Sequence, residues 1–276
     1  MFLRPKSLRE AVEALATPGI QILAGGTDFY PALGDRHLST PVLDVTGIGE
    51  LSGIREEQDG VRIAAGTTWS ELVATPLPRA FDALKAAARE VGSIQIQNRG
   101  TIAGNLCNAS PAADGVPPLL ALDAEVELMS RASTRRLPLA AFITGNRKTE
   151  RRSDELVSAI RVPHSIDGPS VFLKLGARRY LVISIAMVAA ILEDDGQGRI
   201  AQARIAVGAC SAVARRLPEL EAALLGLPMK PGIGSKVAVS HLAALSPIDD
   251  IRATAAYRRD AARTLVARAL EQCAAG

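Results

Sequence analysis

The chain has 276 residues, 48% of them hydrophobic and 22% charged, with a formal net charge of +3. That balance belongs to a soluble globular protein, long enough for one large or two modest domains. The small charge and the 3% aromatic content argue against a nucleic-acid partner, and the apolar run over residues 182–192 is shorter than the roughly 20 residues of a membrane helix.

Cys107, Cys210 and Cys273 are far apart, as are His37, His164 and His241. Neither set has the spacing of a disulfide framework, a zinc site or an iron–sulfur site, so no metal ligand is expected. The start of the sequence lacks the basic, apolar and cleavage regions of a signal peptide, and a cytoplasmic location is expected.

In chain order, Ser7 is placed to cap a helix over residues 7–16, with Leu8, Val12 and Leu15 on its apolar face. A strand over residues 20–23 runs into the glycine turn Ala24-Gly25-Gly26-Thr27-Asp28, followed by a short helix over 29–33 and a strand over 41–45. Residues 60–66 alternate as a strand, Thr68 or Ser70 can open a helix, and residues 79–91 have helical spacing. A second glycine turn, Gly100 to Asn105, is read as another strand end; beyond it lie an apolar stretch over 117–122 and a strand over 124–128. A strand over 156–162 stops at Pro163, and the turn-rich residues 164–170 form the candidate linker. Longer antiparallel strands are expected over 171–175, 183–193 and 200–208, with a hairpin turn at 194–198, then helices over 218–224 and from about 250 to 273. The arginines of that last helix read as its solvent face.

The two glycine turns carry the chemistry. Glycines let backbone approach a bulky anion, and successive amides in such turns make a nest for phosphate oxygens. Two nests suit a dinucleotide pyrophosphate. No Lys-Ser or Lys-Thr follows either turn, so neither is a Walker A loop, and neither has the Rossmann spacing. Trp69 reads as core packing rather than a ring-stacking partner, and Tyr180 suits either a flavin edge or a strand end in water. The cluster Arg135, Arg136 and 147–152 reads as a solvated face on which a partner could dock.

The stretch from Gln95 to Asp114 resembles the flavin-binding signature of the molybdenum hydroxylase family, namely the FAD-binding medium subunit of carbon monoxide dehydrogenase and the flavin domain of xanthine dehydrogenase. The segments 23–28, 65–72, 142–149, 155–157 and 255–259 resemble further family motifs in the same order, so the likeness covers nearly the whole chain. It implies an α+β fold: a two-subdomain FAD-binding domain of the vanillyl-alcohol-oxidase-like (PCMH-type) fold over 1–168, divided near residue 57, then a smaller α+β domain over 169–276.

By resemblance, Leu23, Ala24, Gly25, Gly26, Thr27 and Asp28 hold the FAD pyrophosphate, while Thr101, Ala103, Gly104 and Asn105 form the second wall. Asp114 would accept bonds from cofactor hydroxyls, although a turn or N-cap role also suits it. Val157 would touch the cofactor through its backbone. Lys174 matches the lysine directed at the isoalloxazine ring, where a positive charge stabilises reduced flavin, although an exposed strand lysine reads the same way. No residue is singled out as a catalytic acid or base, and the four-cysteine loop of the benzoyl-CoA-type relatives is missing.

The function implied is that of an FAD-dependent oxidoreductase subunit. It would pass electrons from the [2Fe–2S] clusters of a small partner, fed by a molybdopterin large partner, to NAD or another carrier. A heterotrimer, possibly dimerised, is the family expectation. The rival readings are a self-sufficient FAD oxidase or dehydrogenase and a cofactor-free structural subunit.

Overall fold

Parallel strands joined by short helices open the chain. Strand β1 (Phe2–Leu3) leads to α1 (Leu8–Ala14), whose cap Ser7 accepts from the Glu10 amide. Then come β2 (Gln21–Leu23), α2 (Phe29–Leu33) and β3 (Val42–Asp44). The strands pair in the order β1-β3-β2, and the helical crossovers are what parallel pairing demands. This computed structural model describes residues 1–276.

The next strands are β4 (Ile54–Glu57) and β5 (Gly60–Ala64), followed by a helical run. It comprises α3 (Trp69–Ala74), α4 (Asp82–Glu90), α5 (Ile94–Gln97), α6 (Ile102–Asn108) and α7 (Val116–Ala121). Strands β6 (Glu125–Met129) and β7 (Thr134–Pro138) and helix α8 (Leu139–Phe142) follow, then the small hairpin β8 (Ile143–Gly145) and β9 (Lys148–Thr149), and finally β10 (Leu156–Pro163). An antiparallel sheet forms in the order β4-β5-β10-β6-β7. Thr68 opens α3 through a reciprocal capping box with Glu71, which satisfies two first-turn amides at once.

The last strands are β11 (Ser170–Leu175), β12 (Ala186–Asp194), β13 (Ile200–Gly208) and β14 (Arg215–Arg216), paired antiparallel in that order. Helices α9 (Pro218–Leu224) and α10 (Ala255–Ala275) follow. Side chains on a strand alternate between faces, and β12 uses both. Met187, Ala189 and Ile191 join the core beneath α4 and α7, whereas Ala186, Val188, Ala190 and Leu192 join the core beneath α9 and α10. That double burial explains why β12 reads as one unbroken apolar run.

Three expectations need correction. The second glycine segment follows helix α5, not a strand, and Gly104 and Asn105 lie inside α6, whose cap is Thr101. The final helix starts at Ala255 rather than near 250, because Asp250 binds the amides of Arg252 and Ala253 in a turn and Thr254 then caps α10. The arginines of α10 do not all face solvent: Arg258 is only 3% exposed. In the basic cluster Arg136, Arg147, Lys148 and Arg152 are exposed, as expected, although some of its arginines are paired. Arg135 forms a bidentate pair with the buried Glu155 at 2.6 and 2.8 Å, and Arg136 pairs with Asp59 and Glu127.

Candidate flavin site

Three backbone segments converge on one cavity of about 710 Å³, within the range of cofactor pockets. The first is the turn after β2, the second the approach to α3 at Ala65 and Gly66, and the third the start of α6. The last two are stitched together: the Trp69 amide donates to the Gly100 carbonyl at 3.2 Å, and the Ile102 amide donates to the Thr67 carbonyl at 3.0 Å.

Glycine is required where the first and third segments meet. A Cβ on Gly25 would lie 1.8 Å from the Arg99 carbonyl oxygen, and Gly26 has the left-handed φ of +77°. No group of the chain accepts a hydrogen bond from the amides of Gly25, Gly26, Thr27 or Asp28, although all four residues line the cavity. These residues are half-buried or exposed, so their amides stay open to an acceptor, and a run of such amides is the kind of nest that suits an anion. The α6 wall is more committed. Gly104 donates to the Thr101 hydroxyl and Asn105 to the Thr101 carbonyl, so Ala103 is the first-turn amide left over.

Asn105 contributes the other unclaimed atom. Its side-chain Oδ1 is buried without a hydrogen-bond partner, and Asn105 lines the cavity. A buried acceptor costs about 1–3 kcal/mol if nothing donates to it. Unclaimed amides on one wall and an unclaimed carboxamide oxygen on the other fit a large ligand carrying both anionic acceptors and donors, as FAD does.

The structure brings most of the expected residues together. Ala24, Gly25, Gly26, Thr27, Asp28, Thr101, Ala103, Gly104, Asn105 and Val157 line the cavity. Leu23 is a buried core residue behind the turn. Val157 lies beside a register shift in the β10–β6 ladder, the kind of irregularity that re-aims a strand near a site.

Asp114 and Lys174 form a separate cluster. Lys174 Nζ is 2.6 Å from one Asp114 oxygen, and the Ser184 hydroxyl donates to the other at 2.7 Å. The Lys174 side chain is 7% exposed, which removes the reading of an ordinary surface lysine. Asp114 caps no helix, since Gly115 precedes α7. Burial pushes its carboxyl above the ordinary range, against the opposing pull of Lys174 and Ser184. The cluster lies behind the cavity wall. A Cβ on neighbouring Gly115 would meet Trp69 and Asn105, and Lys174 also reaches the Glu90 carbonyl at 3.4 Å, next to the lining residue Val91.

Sequence reasoning missed part of the lining. Ile20, Val45 and Leu51 make an apolar end to the cavity, and Arg147 and Arg151 line it as well. The apolar strand before the first turn was the one available signal for the former. Both belong to the basic cluster expected at the surface: Arg147 is exposed and bonds Asn108, whereas Arg151 is half-buried and bonds the Arg152 and Glu155 carbonyls. Trp69 is buried in the core with one edge on the cavity, while Tyr180 is exposed and stacks against Arg179.

Comparison with known proteins decides the family. Residues 1–165 match the FAD binding domain in molybdopterin dehydrogenase, and residues 172–273 match the CO dehydrogenase flavoprotein C-terminal domain. This chain is an FAD-binding medium subunit of the molybdenum hydroxylase family. The glyceraldehyde dehydrogenase medium chain of Sulfolobus acidocaldarius is 29% identical, with 99% of this chain and 98% of that relative covered. The carbon monoxide dehydrogenase medium chain of Hydrogenophaga pseudoflava is 30% identical over 96% and 94% of the two chains. The reconstituted CO dehydrogenase of Oligotropha carboxidovorans superposes with a TM-score of 0.91 at 30% identity, over 99% of this chain and 97% of that one. The medium subunit is therefore part of an oxidoreductase and its cofactor is FAD.

Proposed function

We propose that this medium subunit serves as the electron-transfer flavoprotein of a molybdopterin-dependent hydroxylase or dehydrogenase. Its partners would be a small subunit with [2Fe–2S] clusters and a large molybdopterin subunit, and its outlet an external acceptor, NAD or another carrier. Residues 1–168 would form the flavin domain, of the vanillyl-alcohol-oxidase-like type with subdomains meeting near residue 57, and residues 169–276 the C-terminal domain. Three unpaired cysteines, two of them buried, favour a reducing compartment such as the cytoplasm.

The observation that carries this reading is the run of unclaimed amides on one wall facing the unclaimed Asn105 oxygen on the other. The amides of Gly25 to Asp28 would hold the pyrophosphate with the Thr27 hydroxyl beside them, and the Ala103 amide and Asn105 would face it from α6. Val157 would pack against the cofactor from β10. Asp114 and Lys174 would set the charge at the ring. When bound, FAD supplies redox chemistry by either one or two electrons. This chain's share is to bind, to orient and to keep water out.

The test is to purify the chain, denature it and identify the released nucleotide by chromatography and absorption. One FAD per chain, with substrate oxidation appearing only when the two partner subunits are added, is the expected outcome. Turnover by the isolated subunit would overturn the relay role.

A further inference from the structure

Arg258 is the one lysine or arginine buried at the level of the whole residue. It also sits in the first turn of α10, the end of a helix that disfavours a cation. Replacing a whole buried ion pair with apolar side chains is often neutral or stabilising, so packing alone does not explain the residue.

What its guanidinium holds does explain it. One terminal nitrogen donates to the Ile185 carbonyl at 2.6 Å and to the Ala209 carbonyl at 3.2 Å; the other donates to Asp250 at 2.7 Å. Asp250 is itself fixed by the Arg252 and Ala253 amides. Ile185 directly follows Ser184, whose hydroxyl binds Asp114, and the Ile185 amide binds the carbonyl of Leu175, the neighbour of Lys174. Ala209, at a left-handed φ of 61°, donates its amide to the Pro111 carbonyl in the loop that carries Asp114. A single side chain on α10 thus ties down both main-chain segments that frame Asp114, Lys174 and Ser184.

We propose that Arg258 is a positioning residue for the flavin: through the Ile185 and Ala209 carbonyls it fixes the Asp114–Lys174–Ser184 cluster and thereby sets the reduction potential of bound FAD. This rests on the flavin-site reading of Lys174 given above. Loss of the guanidinium frees the two carbonyls, the Lys174 charge is held less closely, and reduced flavin is less favoured relative to oxidised flavin.

The test uses the full chain loaded with FAD, comparing wild type with Arg258→Met, Arg258→Lys, Lys174→Met and the Arg258→Met/Lys174→Met double variant. Circular dichroism and melting establish folding; FAD titration and spectroelectrochemistry give the Kd and the midpoint potential. Arg258→Met is expected to lower the affinity for reduced relative to oxidised flavin about tenfold, a fall of about 30 mV for a two-electron couple. Arg258→Lys, which keeps a cation and at most part of the carbonyl contact, should fall between it and wild type; it decides the matter if the methionine variant does not fold. The double variant should shift no further than Lys174→Met alone, because both changes act on one element. Folded Arg258 variants with wild-type potential and FAD Kd, alongside a shifted Lys174→Met, would overturn the positioning role alone, as would additive shifts in the double variant. Lys174→Met that binds FAD with unchanged Kd and potential would instead sink the flavin-site reading of Lys174, and this proposal with it.

Discussion

The two walls of the candidate flavin cavity are built on opposite plans. The turn from Ala24 to Asp28 is held by backbone contact alone: Gly25 abuts the Arg99 carbonyl, and Asp28 caps α2 without a side-chain bond. The α6 wall has a buried cap in Thr101, two main-chain ties to the α3 approach, and Ile102 and Leu106 anchored fully in the core. One wall leaves its donors free, whereas the other spends nearly all of them on itself. A site that must grip an anion and still keep its shape needs both: unused donors give affinity, and used ones give rigidity.

The largest test of this contrast is Gly25→Val, which drives a side chain into the Arg99 carbonyl and separates the walls. FAD affinity should fall about 100-fold or more, close to 3 kcal/mol, while the C-terminal sheet keeps its circular dichroism signal. Asn105→Leu is next. It removes the unclaimed oxygen, so FAD titration should show affinity about tenfold weaker, with the ligand-free melting temperature unchanged or higher. Thr101→Ala strips the cap from the firm wall and should cost about 1 kcal/mol, or a melting shift of about 2–4 °C.

The smallest effect is with pH. The hydrogen bonds from Arg135 hold the Glu155 carboxyl below its ordinary range, beside the lining residues Leu156 and Val157. A depressed folded pKa contributes stability above the unfolded value of about 4.3, lost as pH falls below it and through the folded value. Melting curves between pH 6 and 3.5 should therefore decline less steeply for Glu155→Gln than for wild type, from a lower start.

Much of this arrangement was legible in the sequence. The strand before Gly25-Gly26, the caps Ser7 and Thr68 and the hairpin turn at 194–198 each follow from local chemistry, and each is found. What stayed hidden was long-range. Nothing near Gly104 signals that α5 rather than a strand precedes it, since Ile94 to Gln97 alternates apolar and polar residues as a strand would. Arg135 and Arg258 look like surface cations until Glu155 and Asp250 are brought beside them by the fold. The partner of Lys174 lies 60 residues away in the chain, so no local pattern could reveal that pair.

Strand β12, with one face under α4 and α7 and the other under α10, makes the two halves of this chain share a floor. The core under α10 comes from the C-terminal half alone, but the other core draws Phe172, Met187, Ala189, Ile191 and Ala206 from that half. Cutting the chain in the 164–169 loop would bare Phe172, Met187, Ala189 and Ile191 on one piece and their counterparts on α4 and α7 on the other. A chain severed there would trade a shared interior for two sticky surfaces.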